Sequence, residues 1–126
     1  MATVLLVEDE PVLLELIAEA LVKAGHTVYP AVSREAAIHL CQMPDCKIDF
    51  LVCDVLIGRA NGFEIAANLK AAQPDARVIL MSGSPRDKFS LAEIAHEFLQ
   101  KPFALFDLLN LIAQQIEAGK MHEIRG

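Results

Sequence analysis

Four short stretches of this 126-residue chain carry side chains able to do chemistry: Glu8-Asp9-Glu10, Asp54, Ser82-Gly83-Ser84 and Lys101-Pro102-Phe103. Each directly follows a short apolar run. If Glu8, Asp9 and Asp54 meet, their like charges repel at a cost unless a cation sits among them. An all-oxygen ligand set suits Mg²⁺, held by one or two carboxylates and several waters, as is usual where phosphoryl groups are handled. Lys101 supplies a compact positive charge for one phosphoryl oxygen, and the Ser82 hydroxyl can hydrogen-bond another. In such a cradle an Asp carboxylate can itself attack phosphorus and form an acyl phosphate, with no cofactor beyond the metal. Any one of these acids alone reads as a helix-start residue favoured by the helix dipole. Their joint placement is the signal.

That placement depends on the elements in between. Residues 3–7, 48–53 and 77–81 are rich in Val, Ile and Leu and read as strands buried on both faces of a parallel sheet. Residues 27–29 and 97–100 are shorter and less apolar, as edge strands are, and Pro30 suits an edge strand or its end. Leu14, Ile17, Ala18 and Leu21 line one helix face, with Pro11 in its first turn and Gly25 as its stop. Ser33 and Asn61 read as N-caps of the next two helices. A short helix is expected near residues 89–94, and a last one over 103–118 with Leu105, Leu108, Leu109, Ile112 and Ile116 along one face. Five β-then-α units thus fill the chain, which predicts one doubly wound α/β domain over residues 1–118 with five helices. Residues 119–126 read as a loose tail. In such folds the functional crevice lies beyond the carboxyl ends of the strands, where all four stretches fall.

Composition narrows the function classes. Eleven Lys and Arg against seventeen Asp and Glu give a formal charge of −6, with no basic cluster to neutralise nucleic-acid phosphates. No apolar run approaches the ~20 residues of a membrane span, and no export signal opens the chain, so a cytoplasmic protein is expected. Cys41, Cys46 and Cys53 then read as reduced thiols, with Cys53 acting as a small hydrophobe. A zinc site at Cys41 and Cys46 lacks completing ligands nearby. His26, His39, His96 and His122 show no metal spacing.

The order of these motifs carries a resemblance. A VLLVEDE start at residues 4–10, Asp54 ending the third strand, Gly62 eight residues later, Ser82-Gly83 after the fourth strand and FLQKPF at 98–103 together resemble the receiver domain of two-component response regulators. The resemblance runs from Val4 to about Ile116. It implies a five-stranded parallel sheet in the order 2-1-3-4-5. It implies that Asp54 accepts a phosphoryl group from a histidine kinase or histidine phosphotransfer protein. Asp9 and Asp54 would ligate Mg²⁺ directly, Leu56 through its backbone carbonyl, and Glu8 through water. Lys101 would salt-bridge the phosphoryl group, and its bond to Pro102 would be cis. Ser82 and Phe98 would form the switch pair that alters a partner-binding surface. Such a protein is a switch, not an enzyme beyond its own phosphorylation and dephosphorylation. Its partners would be proteins, a second copy among them, and neither nucleic acid nor membrane.

Three positions depart from the family pattern. Ile57 and Gly58 stand where Met-Pro is usual, so the loop there lacks the stiffness of proline. Leu56 is apolar where many relatives carry a polar side chain facing water, which predicts slow loss of the phosphoryl group. Ser82 and Phe98 lie about one helical turn closer than is common, so the helix between them is expected to be short and the usual output surface altered. Other readings are weaker. An aspartyl-phosphate phosphatase of the haloacid dehalogenase type needs a second Asp where Leu56 stands. A flavodoxin-like cofactor binder would not place Glu8-Asp9-Glu10 where phosphate sits. A degenerate receiver would not retain all five site residues. With only residues 119–126 after the last helix, the sequence predicts a module without an attached output domain. As a fragment, it would take its output from the missing part.

Overall fold

The computed structural model describes residues 1–43, 45–57, 60–84 and 97–125. Five parallel strands, β1 (Thr3–Val7), β2 (Thr27–Ala31), β3 (Phe50–Asp54), β4 (Arg77–Ser82) and β5 (Glu97–Gln100), form one sheet in the order β2-β1-β3-β4-β5. This is the 2-1-3-4-5 order that the resemblance implies. The described helices are α1 (Pro11–Lys23), α2 (Arg34–Cys41), α3 (Gly62–Ala72) and α4 (Leu105–Arg125). The helix expected near 89–94, with its shortened spacing, lies outside the described residues, as do Gly58 and Arg59.

Strand alternation divides the core into two layers. Leu5, Val7, Leu51, Cys53, Val78 and Leu80 face α2 and α3, packing with Ala37, Cys41, Ile65, Ala66 and Leu69. Val4, Leu6, Phe50, Val52, Ile79 and Met81 face the other way, onto Leu14, Ile17 and Leu21 of α1 and Leu108 and Ile112 of α4. Because successive side chains point to opposite faces, central strands with both faces covered must be apolar throughout. Each fully buried aliphatic side chain contributes roughly 1.5–3 kcal/mol against the entropy of ordering the chain.

Local signals start and stop the helices. Pro11 opens α1, and Gly25 follows it with φ of +97°, a left-handed value that glycine adopts without a Cβ penalty. Ser33 caps α2 by accepting from Ala36 N at 3.2 Å, and Asn61 caps α3 by accepting from Phe63 N at 2.8 Å. Each cap satisfies a backbone donor that the first helical turn leaves without a partner.

Several boundaries differ from the sequence reading, β3 and β4 each running one residue further, to Asp54 and Ser82. β3 starts at Phe50 rather than 48, because Ile48 N donates to the Gln73 side chain at 2.7 Å instead of to a neighbouring strand. β2 runs on through Pro30 to Ala31, which an outer strand tolerates because the missing N–H interrupts no ladder. The last helix starts at Leu105 and continues to Arg125, through the expected tail. Gly119 costs a helix interior about 1 kcal/mol, and the Lys, Met and Glu beyond it are good helix formers. No helix among the described residues is long and apolar enough to cross a membrane.

Candidate functional site

Glu8 and Asp9 immediately follow β1, Asp54 and Ser82 end β3 and β4, and Lys101 follows β5, so the parallel sheet carries all five residues to one rim. Glu8 is 1% exposed, and its backbone N donates to Ala31 O at 3.1 Å, which fixes the chain as it leaves β1. Asp9 is exposed. One carboxylate oxygen from each of Glu8, Asp9 and Asp54 lies within 4.8 Å of the other two.

Lys101 is the cation of this cluster. Its Nζ donates to Asp54 Oδ2 at 2.6 Å and to Glu8 Oε2 at 3.2 Å. The other Asp54 oxygen, Oδ1, accepts from Leu56 N at 3.2 Å. Both oxygens of the Asp54 carboxylate are therefore oriented, one by a charge and one by a backbone dipole.

The electrostatics follow from burial and proximity. Glu8 is pushed up to about 7, first by loss of water and then by its hydrogen bond to Asp54 and the Asp54 charge, which Lys101 only partly offsets. Burial alone would lower Lys101, but the Asp54 and Glu8 carboxylates outweigh it and hold the ammonium above its ordinary value. Three carboxylates against one ammonium leave two negative charges uncompensated when all are ionised. That deficit matches one divalent cation, and the all-oxygen donor set suits a hard ion such as Mg²⁺. The residues present fit the metal that the resemblance implies.

The remaining expected residues fall as follows. The Lys101–Pro102 bond is cis. Ser82 is 5% exposed, and its Oγ accepts from Ser84 N at 3.0 Å. Its carbonyl accepts from Lys101 N at 2.7 Å, so β4 and β5 stay joined up to the rim. Phe98 lies opposite Leu80 in the β4–β5 register, half-buried against the α2–α3 layer. The Leu56 side chain is 67% exposed. Its main chain belongs to a two-residue ribbon, Leu56–Ile57 paired antiparallel with Ala60–Asn61.

The thiols are core groups. Burial pushes Cys41 up to about 11, and burial followed by the Asp54 and Glu8 charges pushes Cys53 higher still. A thiol held protonated is a poor nucleophile and a poor metal ligand. Among the described residues the acidic trio is the one group of three positioned to hold a metal ion.

Two features were not legible as site features in the sequence. Gly62 approaches the Asp54 main chain so closely that any side chain there would collide with it. The Arg34 guanidinium pairs in two places with the Glu64 carboxylate, tying the first turns of α2 and α3 together beside the rim. A glycine eight residues after the acid is visible as a motif, but spacing does not reveal what it touches.

Comparison with known proteins bears on this geometry. The family model for the response regulator receiver domain matches residues 4–113. The sensor kinase CckA of Brucella abortus is 33% identical over 119 residues, a match covering 92% of this chain and 13% of that protein. The chain spans under half the length of the curated relatives it matches. Among solved structures, a Burkholderia pseudomallei response regulator with a phosphorylated aspartic acid, calcium ion and citrate is 25% identical, with a TM-score of 0.79. That match covers 98% of this chain and 75% of that one. The response regulator TrrA of Thermotoga maritima, in complex with Mg²⁺ and a beryllium fluoride, is 25% identical with a TM-score of 0.79. It covers 90% of this chain and 98% of that one.

Proposed function

Because the chain belongs to the response regulator receiver family of two-component systems, with the family model matching residues 4–113, we propose that it is a phosphorylation switch whose acceptor is Asp54. The observation that carries this reading is the Asp54 carboxylate itself, with Oδ2 2.6 Å from Lys101 Nζ inside a trio of acids whose oxygens are close enough to share a divalent cation. Asp9, Asp54 and the Leu56 carbonyl would hold Mg²⁺, with Glu8 acting through water. When bound, the ion neutralises charge on the phosphoryl oxygens.

An Asp54 oxygen attacks phosphorus. The O–P bond forms as the P–N bond of a phosphohistidine breaks, and the imidazole leaves with its electron pair and is reprotonated. Lys101 then exchanges Asp54 for a phosphoryl oxygen, keeping its charge against developing negative charge. Ser82 gives up its bond to Ser84 N and turns its hydroxyl to the same group. Phe98, two register positions from Ser82 along the β4–β5 pair, repacks with it and shifts the populations of a pre-existing equilibrium. The donor would be a histidine kinase or a histidine phosphotransfer protein, and the output a protein contact. Turnover is confined to the switch's own phosphorylation and dephosphorylation. Leu56 cannot donate a proton, which argues against the phosphatase chemistry that needs an acid at that position.

Phosphoramidate, a small donor with a P–N bond, tests this directly. With Mg²⁺ the protein should gain one phosphoryl group by intact mass, and with EDTA none. Gain that is indifferent to EDTA would overturn the metal assignment.

A further inference from the structure

We propose that Gly62 is a positioning residue for the acceptor, holding Asp54 and Leu56 in register through the side chain it lacks. This inference rests on the reading of Asp54 as phosphoacceptor. Gly62 is the first residue of α3, and it is buried. A Cβ there would sit closer to the Asp54 carbonyl oxygen than any side chain tolerates, 3.1 Å from Cys53 Sγ and 3.2 Å from the Asp54 carbonyl carbon. The obstacle is main chain rather than a flexible side-chain tip, so no rotamer change relieves it.

The surroundings leave two ways to give. The Asp54 carbonyl is held by the Cys53 thiol at 3.2 Å, and the next residue is held through both its backbone N–H and its carbonyl. Val55 N donates to Met81 O at 2.9 Å, and Val55 O accepts from Gly62 N at 2.6 Å. If Asp54 moves, its carboxylate leaves Lys101 and the acidic trio. If the start of α3 moves instead, it carries Asn61, which pairs with Leu56 in the ribbon. Either route displaces a group assigned to the metal. Misplacement by about 1 Å typically costs reacting groups a hundredfold in rate.

The test compares Gly62→Ala with two controls. Gly83→Ala makes the same change on the same rim, where a Cβ meets nothing within 4 Å. Ile65→Val loosens the fully buried core position on α3 without touching Asp54. Mg²⁺ affinity and the rate of phosphorylation by acetyl phosphate are measured for each, all in trimethylamine N-oxide, which keeps a weakened variant folded. Gly62→Ala should weaken Mg²⁺ binding at least tenfold and slow phosphorylation roughly a hundredfold. Both controls should stay within twofold of wild type, even where Ile65→Val lowers the melting temperature. Gly62→Ala within twofold of wild type overturns the inference, as does an equal loss in Ile65→Val. A wild-type protein that takes neither Mg²⁺ nor phosphate overturns the acceptor reading itself.

Discussion

Lys101 Nζ lies 2.6 Å from Asp54 Oδ2 across 47 residues of sequence, and 3.2 Å from Glu8 Oε2 across 93. One ammonium thus holds together the ends of β1 and β3 from a position just past β5. It also competes with any cation the acids would bind. Lys101→Met should therefore separate two properties. Removing a unit charge at this range favours Mg²⁺ by about 1–2 kcal/mol after screening, or roughly tenfold tighter binding. The same change should slow phosphorylation about a hundredfold, since no group remains to meet the developing charge. Isothermal titration and intact-mass kinetics read the two. Loss of both together would contradict the role given to Lys101.

Glu8 makes stability depend on pH in an unusual direction for a carboxyl group. Its value rises from 4.5 to about 7 on folding, so between those values the folded protein binds more protons than the unfolded chain. Stability then falls as pH rises through that window, by at most about 3 kcal/mol. His26, whose Nδ1 accepts from Ala2 N at 3.0 Å, is lowered by burial and then by the N-terminal charge, and contributes with the opposite sign. The readout is therefore the difference between wild type and Glu8→Gln, melted in EDTA from about pH 5 to about pH 7.5. Wild type should lose stability relative to Glu8→Gln across that range, and Mg²⁺ should restore it. Parallel curves would contradict the assignment.

Leu56 stands exposed beside the acceptor, unable to orient an attacking water. Leu56→Asn should speed loss of the phosphoryl group, roughly tenfold if the amide positions water as a polar neighbour does. Decay of the phosphorylated mass after donor removal measures it. An unchanged half-life would sink the idea.

Much of this architecture is written in local pattern. β1 and β5 coincide with the sequence reading because each apolar run gives way to charge, at Glu8 after Val7 and at Lys101 after Gln100. The caps at Ser33 and Asn61 act through bonds to residues two or three positions away, which short-range spacing reveals. The acids and Lys101 are legible because a parallel sheet must gather its strand ends. Where the reading fell short, the cause is a distant partner. Gln73 takes the Ile48 amide and shortens β3 from across the fold. Arg34 finds Glu64 thirty residues away. The contact of Gly62 with Asp54 depends on how far α3 slides along β3, which no local rule sets. The run of α4 beyond Gly119 into the expected tail follows from helix-favouring residues after that glycine.

The central claim is that Asp54 is the group that carries phosphate. Intact mass after incubation with Mg²⁺ and acetyl phosphate tests it most directly, for wild type and Asp54→Asn side by side. Wild type should gain one phosphoryl group and the variant none. An equal adduct on Asp54→Asn, or none on a wild type that binds Mg²⁺ and leaves the donor unconsumed, would contradict it.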